Sequence, residues 1–272
     1  MEGASSVGER NKSVTAILAC LVCVGIMATA ATAAFGAQKA SPTALPSRIS
    51  PKAQQLLNHA IQALGGQAFL DFKTISTTGR IFAFSSGHMG RVEPFKNTYQ
   101  PPDKRRLTIG KGKPVILINN GSQAWEQGQY GLVHQLPGLV HQWNVANRYG
   151  LDNLFRSLIR EKGVLILDHG VDFVANRPVY VIEIFTAENV RVRLDLHKTN
   201  YLPLRVSYQL QNPATQEEED YLDEYNGYQN FDGIMTPMNI VREMDGERTS
   251  AIYRDKVNYN QALPPNYFQP PR

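Results

Sequence analysis

Cysteine is nearly absent. The chain has 272 residues and only two cysteines, Cys20 and Cys23, both inside the apolar segment Val14 to Ala37. Once that segment is removed, no disulfide and no thiolate site is possible, so stability must come from an apolar core. Excess charge is scarce as well. The formal net charge is +4, and the leader carries two basic residues (Arg10, Lys12) and two acidic ones (Glu2, Glu9), so cleavage leaves the balance unchanged. Such weak basicity does not suit a nucleic-acid partner. Catalytic signatures are missing too. There is no G-x-S-x-G, no H-E-x-x-H and no phosphate-binding glycine loop, and Gly110-Lys111-Gly112-Lys113 lacks both the spacing and the following hydroxyl residue. His134 with His141, and Asp168 with His169 and Asp172, lack metal-site spacing. No enzyme activity, cofactor or metal is expected.

What is there begins with export. Arg10 and Lys12 precede the apolar run Val14 to Met27, and the small-residue stretch after it offers A-x-A cleavage positions at Ala30 and Ala33. Residues 1–37 therefore read as a signal peptide or, if retained, an N-terminal membrane anchor. The expected location is the periplasm, with a tether to the inner membrane through residues 14–37 if they stay. Residues 38–49 read as a flexible linker, 50–262 as a single domain and 263–272 as a proline-rich tail.

Within the domain, Ser50 and Pro51 are start signals for a helix carrying Leu56, Leu57, Ala60, Ile61 and Leu64, ended by Gly65-Gly66. A second helix is expected over Leu139 to Lys162, open to interruption at Gly150 and ended by Gly163. The rest reads as strands. Val190 to Leu196 and Leu202 to Tyr208 alternate apolar and polar residues, which specifies an antiparallel hairpin with one wet face. Further strands are expected at 75–84, 90–95, 105–109, 115–119, 124–127, 164–168, 179–186, 217–228, 238–244 and 249–257. Asn119-Asn120-Gly121, Asn176-Arg177-Pro178 and Asp245-Gly246 supply turns between them. This many sequential strands imply a large curved antiparallel sheet, a half-barrel, with the amphipathic helices covering its concave face: an α+β fold.

Three stretches carry a family resemblance: PPDKRRLTI at Pro101 to Ile109 followed by VILINNGSQAWEQ at Val115 to Gln127, VRVRLDLHKTNYLPLRVSYQ at Val190 to Gln209, and EYNGYQNFDGIMTPMNIVREMDG at Glu224 to Gly246. With the leader and the helix ending in Ala63 to Gly66, their order resembles the LolA-like superfamily, whose members include the outer-membrane lipoprotein carrier and the RseB sensor domain. The resemblance covers about residues 50 to 262. It implies a half-barrel with an apolar cavity under helices and a lipid or lipid-modified protein as partner.

The inward apolar residues that could line such a cavity are Phe82, Phe84, Trp125, Trp143, Phe155, Tyr180, Ile182, Leu194, Leu204, Val206 and Tyr208. The same pattern serves a solid core. Lys104, Arg105, Arg106, Lys111 and Lys113 form the densest basic group, read either as a membrane-contacting patch or as a solvent-facing hairpin. The expected function is an exported carrier or sensor of lipid or lipoprotein. The alternatives are a membrane-anchored envelope sensor or protein-interaction domain and, less favoured, an enzyme with an unrecognised site.

Overall fold

The computed structural model describes residues 48–85, 88–213 and 215–271; the expected leader and most of the expected linker lie outside them. Helix α1 (Pro51–Leu64) begins where the sequence marks it. The Ser50 hydroxyl accepts the Ala53 N–H at 3.3 Å, and Ala53, Leu56, Leu57, Ala60 and Leu64 form its buried stripe. The short α2 (Gln67–Asp71) follows. The second expected helix is divided into α3 (Pro137–Tyr149), α4 (Leu151–Arg156) and a 3-10 turn, Leu158–Arg160. Gly150 divides it because its backbone is extended (φ −64°, ψ 154°). A Cβ there would meet the Ala146 carbonyl oxygen at 2.8 Å, so only glycine lets α4 start against the end of α3.

The strands β1 (Arg48–Ile49), β2 (Ile75–Ser85), β3 (His88–Gln100), β4 (Lys104–Ile109), β5 (Val115–Asn120), β6 (Gln123–Gly128), β7 (Gly131–His134), β8 (Leu165–Val174), β9 (Arg177–Phe185), β10 (Arg191–His197), β11 (Pro203–Gln211), β12 (Glu218–Asn226), β15 (Asn239–Met244) and β16 (Glu247–Tyr259) build one 14-stranded sheet. Its order is β1-β8-β9-β10-β11-β12-β15-β16-β2-β3-β4-β5-β6-β7. The small hairpin β13 (Gln229–Phe231) and β14 (Ile234–Thr236) stands apart from it. All neighbours are antiparallel except β1 on β8. The sheet is open and curved, and helices cover its concave, inner face. In the core, Leu57 of α1, Tyr149 of α3 and Phe155 of α4 meet Ile182, Leu194 and Val206 of β9 to β11.

Two boundaries differ from the sequence reading. Arg48 and Ile49, expected to end a flexible linker, pair in parallel with Leu165 and Ile166. The proline-rich tail also packs: Phe268 is buried, the Tyr267 hydroxyl lies 3.0 Å from that of Thr98, and Arg106 Nη1 donates to the Tyr267 carbonyl. Prolines keep the tail out of the ladder but do not prevent its aromatic side chains from packing on the outer face.

Candidate functional site

Register and period-2 alternation assign every strand residue to a face. On the hairpins β2 to β6, Tyr99 packs in the helix-covered core, and its cross-strand partner Arg105 faces the same way, as does Asn119 beyond it. Leu107 and Ile109 share the phase of Arg105, with Phe95, Leu117 and Val115 opposite them. These five apolar residues form an inward strip that belongs to neither apolar cluster of the fold.

The residues expected at a cavity divide between the faces. Phe155, Ile182, Leu194 and Val206 are fully buried, and Tyr208 is nearly so, all beneath the helices. Trp143 and Tyr180 pack at the margin of that core. The others lie elsewhere. Leu204 joins Val174, Val179 and Val181 in a separate cluster on the outer face. A bulge between Asp195 and Leu196 puts one extra residue in β11, so the alternation that would carry Leu204 inward is broken. Trp125 pairs with Ile118, in opposite phase to Asn119, and its ring lies 6.2 Å from that of His134 on the outer side. Phe82 alternates with the inward Ile81 and makes an edge-to-face contact with the exposed Tyr253. Phe84, at the far end of β2, sits beneath Arg248 at 5.5 Å.

The basic group is not one surface either, because adjacent strand residues point to opposite sides. Arg106 holds the tail on the outer face, Lys111 and Lys113 are exposed in the following turn, and Arg105 turns inward. Inside, the Arg105 guanidinium stacks on Trp143 at 4.0 Å, and its Nε and Nη2 donate to Asn119 Oδ1 at 3.2 and 2.9 Å. Tyr99 makes an edge-to-face contact with Trp143, with ring centroids 6.1 Å apart. At the opposite end of α3, Tyr149 packs on Tyr208 at 4.3 Å, and Tyr208 stacks on Tyr221. Helix α3 thus bridges the bowl from β4 to β11.

Beneath this bridge lies a polar layer. Arg242 of β15 approaches Asp223 of β12, with Nε 3.4 Å from Oδ1, and the Tyr225 hydroxyl donates to Asp223 Oδ2 at 3.2 Å. Arg254 of β16 donates to the Pro237 carbonyl at 3.0 Å. Burial pushes the Asp223 carboxyl up despite the pull of Arg242, whereas the charge of Asp223 holds the Arg242 guanidinium up. Arg105 is different. Burial, with the nearby positive charge of Arg242, lowers its pKa to about 9, and among the described residues no carboxylate lies within ion-pair distance of it. Asp152 of α4 is also pushed up by burial, with Arg254 and Arg156 opposing.

These polar groups escaped the sequence reading because basic residues default to solvent. The signal was nevertheless present: Arg105 is in phase with Leu107 and Ile109, and Arg242 with Ile240. The turn between β3 and β4 fastens the bridge, since the Pro102 carbonyl accepts from Tyr99 Oη at 2.9 Å, Asn147 Nδ2 at 2.7 Å and Asn153 Nδ2 at 2.8 Å.

No family model matches the chain, and no curated protein matches it. Solved structures do. A DUF1329 family protein from Desulfovibrio piger aligns over 81% of this chain and 98% of its own, at 13% identity and a TM-score of 0.54. A putative outer membrane lipoprotein-sorting protein domain from Vibrio parahaemolyticus aligns over 80% of this chain and 97% of its own, at 11% identity and a TM-score of 0.50. A LolA superfamily protein from Nitrosomonas europaea aligns over 80% and 97%, at 15% identity and a TM-score of 0.48. At such identities the likeness is one of fold: the open, helix-covered curved sheet is shared with the DUF1329 family protein and the lipoprotein-sorting protein domain.

Proposed function

We propose that this is an exported envelope protein that holds an acyl chain, of a lipid or of a lipid-modified protein, against the inner face of the hairpins. One observation supports the reading: Phe95, Leu107, Ile109, Val115 and Leu117 point inward without joining the helix-packed core, and because all but Leu107 are buried, a chain gains contact with them by displacing what now covers them. Each methylene laid on such a strip contributes about 0.8 kcal/mol, so a chain of a dozen or more carbons needs no special polar chemistry to be retained. Residues 1–37, which lie outside the described residues and read as a signal peptide or an N-terminal anchor, supply the route out of the cytoplasm. The shared fold with a lipoprotein-sorting domain is consistent with this use. Native mass spectrometry of protein purified from its own envelope tests it. Co-purifying lipid that disappears in Leu107→Glu is the expected result; a ligand-free protein that also refuses fluorescent fatty acids would overturn it.

A protein-interaction role is the second reading, favoured by the edge of the sheet. β1 covers only Leu165 and Ile166 of β8, and beyond them Val171 and Phe173 are exposed. An open strand edge with exposed apolar side chains can accept an added strand. Pull-down with wild type and with Phe173→Lys distinguishes this role, since only edge pairing depends on Phe173.

A further inference from the structure

The hairpin of β2 and β3 reaches past its neighbours. β16 keeps register with β2 only as far as Ser250, opposite Ala83, and β4 ends at Ile109, opposite Phe95. Beyond those positions the hairpin carries apolar side chains in water: Met89 is 62% exposed and Val92 42%, and Tyr253 of β16 is 40% exposed near them. Scattered singly, such residues are ordinary; gathered on one face, they mark a contact surface. Register gathers them on the outer face, in rungs. Phe84 lies opposite Met89, Phe82 opposite Val92 and Ala251, Arg80 opposite Pro94 and Tyr253, and Thr78 opposite Lys96 and Lys256. The rings of Phe82 and Tyr253 meet edge to face at 5.3 Å, joining the second rung to the third.

The rungs are graded in polarity. Apolar side chains stand at the tip, a tyrosine and an arginine behind them, and two lysines behind those. The turn between β4 and β5 adds the exposed Lys111 and Lys113 at the level of the third rung, because the Gly110 N–H donates to the Pro94 carbonyl at 2.9 Å. Of the nearby acids, Asp255 lies 4.0 Å from Arg80, Glu93 faces inward 3.6 Å from Arg91, and Glu243 is opposite Arg248 in register. Among the described residues Lys96, Lys256, Lys111 and Lys113 have no ion-pair partner, so the surplus on this face is positive. Strand residues rise about 3.4 Å each, which sets the lysine rung about 14 Å behind Val92. An element lying in a bilayer interface sinks its apolar part about 5 to 10 Å, with aromatic rings at head-group level and cations near the phosphates. The order along the hairpin follows that depth profile, and its surplus charge complements anionic lipid.

We infer that the hairpin of β2 and β3 docks on the surface of an anionic phospholipid bilayer, with Met89, Val92 and Phe82 at the acyl boundary and Lys96 and Lys256 against the phosphates. The inference stands without the acyl-chain reading, because it uses the opposite face of the sheet.

The test takes the full chain, purified from its own envelope, and two kinds of vesicle: phosphatidylcholine alone, and phosphatidylcholine with about one-quarter phosphatidylglycerol. Met89→Trp reports on the hairpin itself, whether or not residues 1–37 are retained. Its added emission, taken as the difference from wild type, should shift to the blue on anionic vesicles and be quenched by brominated acyl chains. Salt should reverse the shift, since exposed charges are screened beyond about 10 Å at about 0.1 M. With Met89→Trp as reporter, Val92→Glu should weaken this binding on the order of tenfold. Lys96→Glu combined with Lys256→Glu should weaken it on the order of tenfold on anionic vesicles and leave neutral ones unchanged. Should Val92→Glu fail to fold, the exposed lysine pair and the salt dependence still decide. Emission unchanged on both kinds of vesicle overturns the docking face. A blue shift that appears without vesicles as protein concentration rises assigns the face to a second copy and overturns it as well.

Discussion

The two halves of the sheet solve the same problem differently. From β8 to β11 the inner face is dry: Ile182, Leu194 and Val206 are wholly buried under α1, α3 and α4, and the charges are displaced to the outer face. There Asp195, itself fully buried, accepts from Arg193 Nε and Arg205 Nε, both at 2.8 Å. From β2 to β6 the arrangement is reversed. Arg105 faces inward beside an apolar strip, and the outer face is sealed by Ile118 and the tail. One half is built as a core. The other half keeps a polar group where a core would place leucine, and Trp143 and Asn119 hold it there.

That contrast can be broken by substitution, and the largest effect is expected in the dry half. Phe155→Ala should cost about 3 to 5 kcal/mol in urea unfolding, because its site lies between α2 and the sheet and cannot collapse. Leu107→Ala should cost clearly less and instead weaken lipid-probe binding; equal costs would erase the distinction between the halves. Gly79→Ala comes next. A Cβ there would lie 1.9 Å from the Tyr253 carbonyl oxygen, where β2 meets the bulge of β16, so backbone must move at a cost of about 2 to 4 kcal/mol, read in the same denaturation assay.

Asp195→Ala should cost about 1 to 3 kcal/mol by removing the carboxylate that joins Arg205 to Arg193, which keeps only Asp172, with no change in lipid-probe affinity, since the pair is on the outer face. The smallest effect is at Asp152. Its carboxyl is raised by burial, so the folded state holds the proton more tightly than the unfolded chain. The associated stability is full below the ordinary carboxylate range and is lost as pH rises through the raised value. Asp152→Asn should lack this step and so gain on wild type, by less than about 1 kcal/mol, between about pH 4 and neutrality in melts across that range.

Much of the fold was legible because period-2 alternation is unambiguous where both strands of a pair show it, as in Val192, Leu194 and Leu196 against Val206 and Tyr208. The division at Gly150 was legible for a similar local reason. The site was less so. Alternation says which residues share a face, but not which face turns inward, and in β6 a single tryptophan among Ala124 and Glu126 misled: Trp125 faces out. Leu204 was misplaced by a bulge that leaves no mark in composition. Arg105 was read as surface because residue type was weighed above phase. The hairpin β13 and β14 has three-residue strands, too short for any period to register.

The Pro102 carbonyl, which takes donors from Tyr99, Asn147 and Asn153, has a consequence for motion. Two of those donors flank Gly150 on α3 and α4, so the helical cover is latched to the hairpins at its joint rather than along its length. Lifting the cover from the bowl would release those bonds together, giving one cooperative opening instead of gradual fraying. The side chains that fasten the lid would then also set how often the bowl is accessible, making Asn147 and Asn153 determinants of the rate at which a ligand enters or leaves rather than of how tightly it is held.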